Sequence, residues 1–343
     1  MRITQSMMTR NFLKSLNRNL GNIAKSNERL ASGRKFTKIS ENVSDGSRAL
    51  RIREQLSDNE QYLVNIRDAN GELSSAESNM LSINDILQTV HEKVVKGMTD
   101  TTSADGRAII AKEIDSLKEQ VLQFSNAKFA DRYLFSGTNN STSPFSVGSD
   151  GRALYNGKPV DQIQQDADGQ YFIMEGGVKS PIPQSKDMFI DVGLGIQMSG
   201  TKVDPKSAFK TSFSGMDILG VGTETKNGIT TSNNLYNLLG DIADALSPNF
   251  DRAKLDAYST KLTKQTDALM LNITDIGTRA TFLEKSAERI ENDIENLTEM
   301  RSKLEAVSDT AESMNMKMFD YSWKATLQIG SRVIPTSLMD FLR

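Results

Sequence analysis

Apolar residues at Ala69, Leu73, Ala76, Met80, Ile83, Leu87, Val90 and Val94 recur in alternating steps of four and three. That spacing is a heptad seam, which keeps one apolar stripe facing a partner helix. Ile52, Leu56, Leu63 and Ile66 carry the stripe upstream, and the step from Leu63 through Ile66 to Ala69 is a stammer that predicts local overwinding. Gly97 and the polar run TDTTSADGR end this helix. A second starts near Ser103 or Asp105 as cap, with Ile110, Ile114, Leu117, Val121 and Phe124 on one face. Its pattern predicts a helix running on to Phe129, Tyr133, Leu134 and Phe135, where SGTNNSTSP stops it. The short polar loop between the two predicts antiparallel packing.

The C-terminal third repeats the theme. Leu262, Leu269, Ile276, Leu283, Ile290, Leu297 and Leu304 are spaced by heptads, and Ile273, Ala280, Ala287 and Ile294 fill the intervening seam positions. Charged residues such as Glu284, Lys285, Glu288, Arg289 and Glu291 take the other faces. A helix of this length spans on the order of 75 Å at ~1.5 Å per residue. The expected fold class is mainly α with an inserted β-rich domain. Its frame is a long antiparallel coiled-coil rod of three helices, two from the N-terminal region and one from the C-terminal region.

The middle has a different grammar. Asp150-Gly151, Asn156-Gly157, Asp168-Gly169, Gly176-Gly177 and Asn227-Gly228 separate short segments such as RALY, QYFIM and DMFIDV. Asn-Gly and Asp-Gly favour the tight turns of β-hairpins. The expected divisions are an N-terminal assembly arm at 1–45, disordered in the monomer, and a helical rod at 46–135. A β-rich outer domain acting as exposed spacer follows at 136–231, then a second rod segment at 232–307 and a C-terminal assembly segment at 308–343.

The two ends carry apolar residues that a single chain has no obvious means to cover. Phe12, Leu16, Leu20, Ile23 and Leu30 make one stripe. Met314, Met318, Phe319, Tyr321, Trp323, Leu327, Ile329, Val333 and Ile334 fall on several faces of one helix, which therefore needs burial on several sides. After Pro335 the tail TSLMDFLR is again apolar, and an exposed tail of that kind is an aggregation liability. The candidate assembly interface is Ile3, Met7, Phe12, Leu16, Leu20, Ile23 and Leu30, with Phe319, Trp323, Leu327, Val333, Ile334, Leu338, Phe341 and Leu342. Neighbouring subunits are expected to cover it, so that the ends fold on assembly.

Composition narrows the chemistry. The chain of 343 residues has no cysteine and one histidine, His91. Disulfides, thiolate metal sites and multi-histidine metal sites are excluded, and no G-x-S-x-G elbow accompanies His91. The stretches GLGIQMSG and GVGTETKNG lack phosphate-loop spacing and read as turns. DADG at Asp166–Gly169 opens like a calcium loop, but its twelfth position is Gly177 rather than Glu. Met314, Met316 and Met318 read as gap-filling interface residues. No catalysis, metal or cofactor is expected. No window approaches the ~18 apolar residues of a membrane span, and the N-terminus has no apolar signal core. Net charge is −3, yet Arg2, Arg10, Lys14, Arg18, Lys25, Arg29, Arg34, Lys35 and Lys38 face only Glu28 in the first 38 residues. Such an arm suits either a solvated helix face or a membrane or nucleic-acid surface.

The arm MRITQSMMTRN…LNRNLGNIAKSNERLASGRK feeding a heptad helix resembles the N-terminal region of the flagellin superfamily, including its small-small-Gly-basic stretch Ala31, Ser32, Gly33, Arg34 and Lys35. Met1-Arg2-Ile3-Thr4, Met7, Met8 and DRYLFSGTNNSTSPF are similar to the hook–filament junction branch of that superfamily, the third hook-associated proteins. ENVSDGSRA stands where flagellins carry a stretch richer in small residues, and SLMDFLR is close to the endings of both. The resemblance implies a structural adaptor exported unfolded without a cleaved signal, with an export chaperone. It further implies an extracellular place in the flagellum, as a homo-oligomer between the first hook-associated protein and flagellin. Nucleic acid and membrane insertion are not expected. Flagellin itself, and a coiled-coil module that binds through its basic arm, remain the alternatives.

Overall fold

The structure is a computed structural model that describes residues 5–137, 142–166, 170–182, 188–200, 202–204, 207–211, 213–226 and 228–333. Seven α-helices appear among the described residues: α1 (Gln5–Ser32), α2 (Val43–Met98), α3 (Ala104–Ser125), α4 (Gly215–Leu219), α5 (Leu235–Leu246), α6 (Arg252–Glu305) and α7 (Asp309–Val333). Short antiparallel strands lie between α3 and α5. The chain divides into two compact units, Gln61–Ile290 and the combination of Met1–Glu60 with Glu291–Arg343.

In Gln61–Ile290 the heptads are the core. Every predicted seam residue of α2 from Ile66 to Val94 is buried, as are Leu262, Leu269, Ile276, Leu283 and Ile290 of α6. Glu77 lies beside Gly277, and Tyr62 and Ile290 both meet Gly193, so α2 and α6 run antiparallel. At the stammer Tyr62 and Leu63 are both half-buried, because the apolar stripe changes face there. Ser103 caps α3 by accepting from the Gly106 N–H, and Lys93 pairs with Glu113 across α2 and α3 at 2.6 Å.

Two features of this unit differ from the sequence expectation. First, α3 ends at Ser125 and not near Phe135. Lys128–Phe129 and Arg132–Tyr133 pair as an antiparallel hairpin. Its two-residue turn holds Ala130 at φ 45° and Asp131 at φ 65°, the left-handed geometry of a tight hairpin turn. Helical spacing of Phe129, Tyr133 and Phe135 conceals this, because neither turn residue is a glycine or asparagine. Tertiary contacts hold the turn: the Phe129 ring packs on Gly71 of α2, and Arg132 pairs with Glu72 at 3.2 Å. Phe135 is buried, and its carbonyl accepts from the Gly215 N–H at 2.8 Å and from the Tyr155 hydroxyl at 3.3 Å. The RYLF segment is therefore the seam between helix and sheet, and not the last turn of a helix.

Second, α5 joins the helical framework. Asn234 caps it, and Leu235, Leu238, Leu239, Ile242 and Leu246 are buried. The Tyr236 hydroxyl donates to Glu119 of α3 at 2.9 Å, and Leu246 packs against Gly97 at the end of α2.

The β-rich region does not stand apart as a spacer. Its described sheets have two or three strands each, too few to bury a core alone. They close instead along the long helices. Asn65 donates to the Asp191 carbonyl at 3.1 Å, Phe209 stacks on Phe282 at 5.8 Å, and Asn272 donates to the Asp217 carbonyl at 3.0 Å. Arg152 bridges Asp161 and Asp241, while Asn237 donates to Asp161 at 2.8 Å, knitting the strand Ala153–Tyr155 to α5. The Asn156-Gly157 turn has φ 49° and 78°, as its dipeptide predicts.

Glu224 ties the hairpin Thr223–Lys226 to α6. It takes hydrogen bonds from Lys226 first and Lys261 second, and these hold its carboxyl down to about 2 from its ordinary 4.5. A depressed carboxyl contributes stability above its unfolded value and loses it as pH falls through the folded one. Glu224→Gln is thus expected to lower the melting temperature at pH 5–7, with the difference shrinking from about pH 4.5 to pH 2. Thermal scans of both proteins across that range check it; a difference that grows on acidification contradicts it.

Candidate assembly surface

The unit formed by Met1–Glu60 and Glu291–Arg343 is built on α1 and α7, which pack as an antiparallel pair. Phe12 sits on Gly330, Asn19 bonds Ser322 and Thr326, and Ser26 bonds Glu312. Where α1 ends, Gly33 at φ 67° turns the chain back. The Val307 N–H donates to the Gly33 carbonyl and the Lys35 N–H to the Glu305 carbonyl, so the Ala31–Lys35 stretch is pinned beside the junction of α6 and α7. Only a residue tolerant of left-handed φ closes that turn cheaply. Arg53 of α2 reaches Glu305 at 2.7 Å. Ile294, Leu297 and Leu304 extend the α6 seam here as half-buried residues.

The predicted interface residues divide between two surfaces. Phe12, Leu16, Ile23 and Leu30 are half-buried along α1, and Phe319 and Trp323 are half-buried along α7. Met7 is 52% exposed, Leu20 44% and Leu327 41%. Ile3, Ile334, Leu338, Phe341 and Leu342 lie outside the described residues, as does the side chain of Val333. The sequence reading missed Asn19, Ser26 and Glu312, which are the most buried side chains between the two helices. A signal for them exists: Phe12, Asn19, Ser26 and Gly33 are spaced by heptads, as a seam requires.

On α7 the inward positions are Glu312, Met316, Phe319, Trp323, Thr326 and Gly330, again in steps of four and three. Met314, Met318, Tyr321 and Ile329 form a second apolar stripe, about 200° around the helix. They are 69%, 58%, 73% and 60% exposed. The side of α1 away from α7 is basic, with Arg10, Lys14, Arg18 and Lys25 exposed, while Arg29 leans on Glu312 at 3.8 Å. Met316 faces inward and Met314 and Met318 outward, so the methionine group does not converge on one point.

An exposed apolar stripe of this length is a candidate contact surface. His91 is exposed on α2, and among the described residues no group of three His, Asp or Glu side chains is placed to hold a metal. Among the same residues, no helix is long and apolar enough to cross a membrane.

Residues 3–140 match the family described as the bacterial flagellin N-terminal helical region. Flagellar hook-associated protein 3 of Escherichia coli (strain K12) is 26% identical over 147 residues, 43% of this chain and 46% of that protein. Flagellar hook-associated protein 3 of Salmonella typhimurium (strain LT2) is 25% identical over 166 residues, 48% of this chain and 51% of that protein. The chain thus spans about half the length of the curated relatives it matches. The solved structure ascribed to a flagellar hook-associated protein from Vibrio parahaemolyticus superposes with a TM-score of 0.58 at 18% identity, covering 78% of this chain and 100% of that one. The two share a fold.

Proposed function

We propose that this chain, whose residues 3–140 are a flagellin-type N-terminal region, is a structural adaptor of the bacterial flagellum. It joins the hook, through the first hook-associated protein, to the flagellin filament. The observation that carries an assembly role is the second apolar stripe of α7, Met314, Met318, Tyr321 and Ile329, which α1 does not cover. Neighbouring copies in the axial structure cover it, together with the candidate residues of both termini. The names of the matched relatives favour the junction over the filament itself.

The same surface supports coupled folding. The α1–α7 contact is polar at Asn19, Ser26 and Glu312 and leaves Met314, Met318, Tyr321 and Ile329 outside, so the pair's own burial covers only part of its apolar surface. In this reading the two segments are ordered chiefly by their neighbours, travel unfolded through the export apparatus with a chaperone, and need no cleaved signal. The protein works outside the cell, with no catalytic step.

Deleting the gene tests the reading. The expected result is cells with hooks, no filaments, and flagellin lost to the medium. Normal filaments on the deletion strain overturn it, and unaided polymerisation of the pure protein favours a filament subunit instead.

A further inference from the structure

We propose that Asn19 is the residue that fixes the register of α1 on α7, and so determines which surfaces the pair presents for assembly. The inference rests on the adaptor reading for its consequence but not for its geometry. Asn19 is 7% exposed, and its Nδ2 donates to both Ser322 Oγ at 3.2 Å and Thr326 Oγ1 at 3.1 Å. Those two hydroxyls are one helical turn apart on α7, so a single amide reads a specific pair of positions. A buried amide between two helices costs stability and selects the one alignment that satisfies it.

Two further couples flank Asn19 and are equally specific. Ser26, 1% exposed, donates to the Glu312 carboxylate at 2.8 Å. Phe12 fills the space over Gly330, where an added Cβ would lie 2.2 Å from its ring. A slip of one heptad towards the end of α7 sets Asn19 opposite Ile329 and Ser26 opposite Phe319, leaving both polar groups without partners. A slip the other way sets Phe12 opposite Trp323 in place of Gly330. Neither alternative satisfies all three couples. The heptad pattern alone tolerates both slips, because Leu16, Ile23 and Leu30 repeat every seven residues.

The register matters because one heptad is about 10 Å along the axis. A slipped α1 carries Leu13, Leu20 and its basic face out of step with the outer stripe of α7, and neighbours no longer meet one continuous surface.

The test compares the full chain with its Asn19→Leu variant. Because the protein has no cysteine, spin labels on Arg18→Cys and Lys317→Cys report the axial offset without other changes. Measurements are made in trimethylamine N-oxide, which strengthens burial and populates the pair. The parent is expected to give one narrow distance. Asn19→Leu gives equal or greater helicity with a second distance population, from an axial offset changed by about 10 Å. Asn19→Gln, which retains the amide, gives a distribution closer to the parent than Asn19→Leu does. One distance shared by parent and Asn19→Leu overturns the proposal, as does a parent distribution that stays broad. Failure of the adaptor reading shows in the deletion strain instead, and leaves these distances unaffected.

Discussion

The double substitution Met318→Lys with Tyr321→Lys is expected to leave the free protein folded and to abolish its entry into the axial structure. Both side chains are more than half exposed in the single chain, so replacing them removes little internal packing. Exposed substitutions of this kind usually change stability by no more than about 0.5 kcal/mol. In an assembly that covers the outer stripe of α7, each lysine becomes a buried, unpaired ammonium. Lys317, nearby on the same helix, adds like charge, and Asp320 is already paired with Lys324 at 2.7 Å. An uncompensated buried charge costs several kcal/mol, so the pair should weaken association by at least about 1000-fold. Thermal melting of the pure variant and complementation of the deletion strain read the two halves separately. Normal melting with normal filaments would show that the outer stripe is not a contact surface. Trp323, the only tryptophan, faces α1 and reports by fluorescence whether the pair itself has been disturbed.

Gly220→Ala is expected to be the most destabilising conservative change among those considered in Gln61–Ile290. Gly220 ends α4 at φ 79° and ψ 161°, a region that is essentially restricted to glycine. An added Cβ would lie 2.2 Å from the Asn233 carbonyl oxygen, and backbone cannot rotate aside as a side-chain tip can. The neighbourhood is interlocked: Asn234 donates to the Gly220 carbonyl at 3.0 Å, and the Asn233 N–H donates to the Gly222 carbonyl at 2.9 Å. Pushing these strands apart withdraws the side chain that caps α5 and loosens buried Met216, Ile218 and Leu219. Strain and displacement together should cost roughly 3–5 kcal/mol. For a unit of this size that lowers the melting temperature by about 10 °C or more. Gly157→Ala is the matched control. Its φ is 78°, but nothing lies within 4 Å of the added Cβ, so only the strain of the turn remains, about 1 kcal/mol. Equal losses at the two sites would mean that the contact with Asn233 does not matter.

Where the sequence was legible, the reason is local. The seam from Ile66 to Val94 and the heptads from Leu262 to Ile290 state their own period, and each residue sits buried where the period puts it. Ser103 and the Asn156-Gly157 turn were readable because capping and tight-turn geometry belong to a few consecutive residues. The end of α3 was not readable. Ala130 and Asp131 take left-handed φ because Phe129 and Arg132 are held by α2, at Gly71 and Glu72. No neighbour in sequence announces that. α5 fell inside the rod segment expected at 232–307 but was not distinguished as a helix of its own, because its apolar face is short and it lies beside a stretch whose turn dipeptides dominate the pattern.

The candidate surface divides along the same line. The amino-acid sequence by itself determined that the N-terminal helix carries one apolar stripe and the C-terminal helix more apolar faces than one partner can cover, because periodicity is a property of the chain. It could not say which face is inside. Both stripes of α7 fall on helical spacing and both carry large apolar residues, and only the position of α1 covers one and leaves the other open. Nor could a search for apolar positions find Asn19, Ser26 and Glu312. They become seam residues only because their partners stand opposite, at sequence separations of 286 to 307 residues. Local patterns decide which helices form. Which polar group is satisfied across a seam, and which apolar stripe remains open for a neighbour, follow from the packing of distant segments.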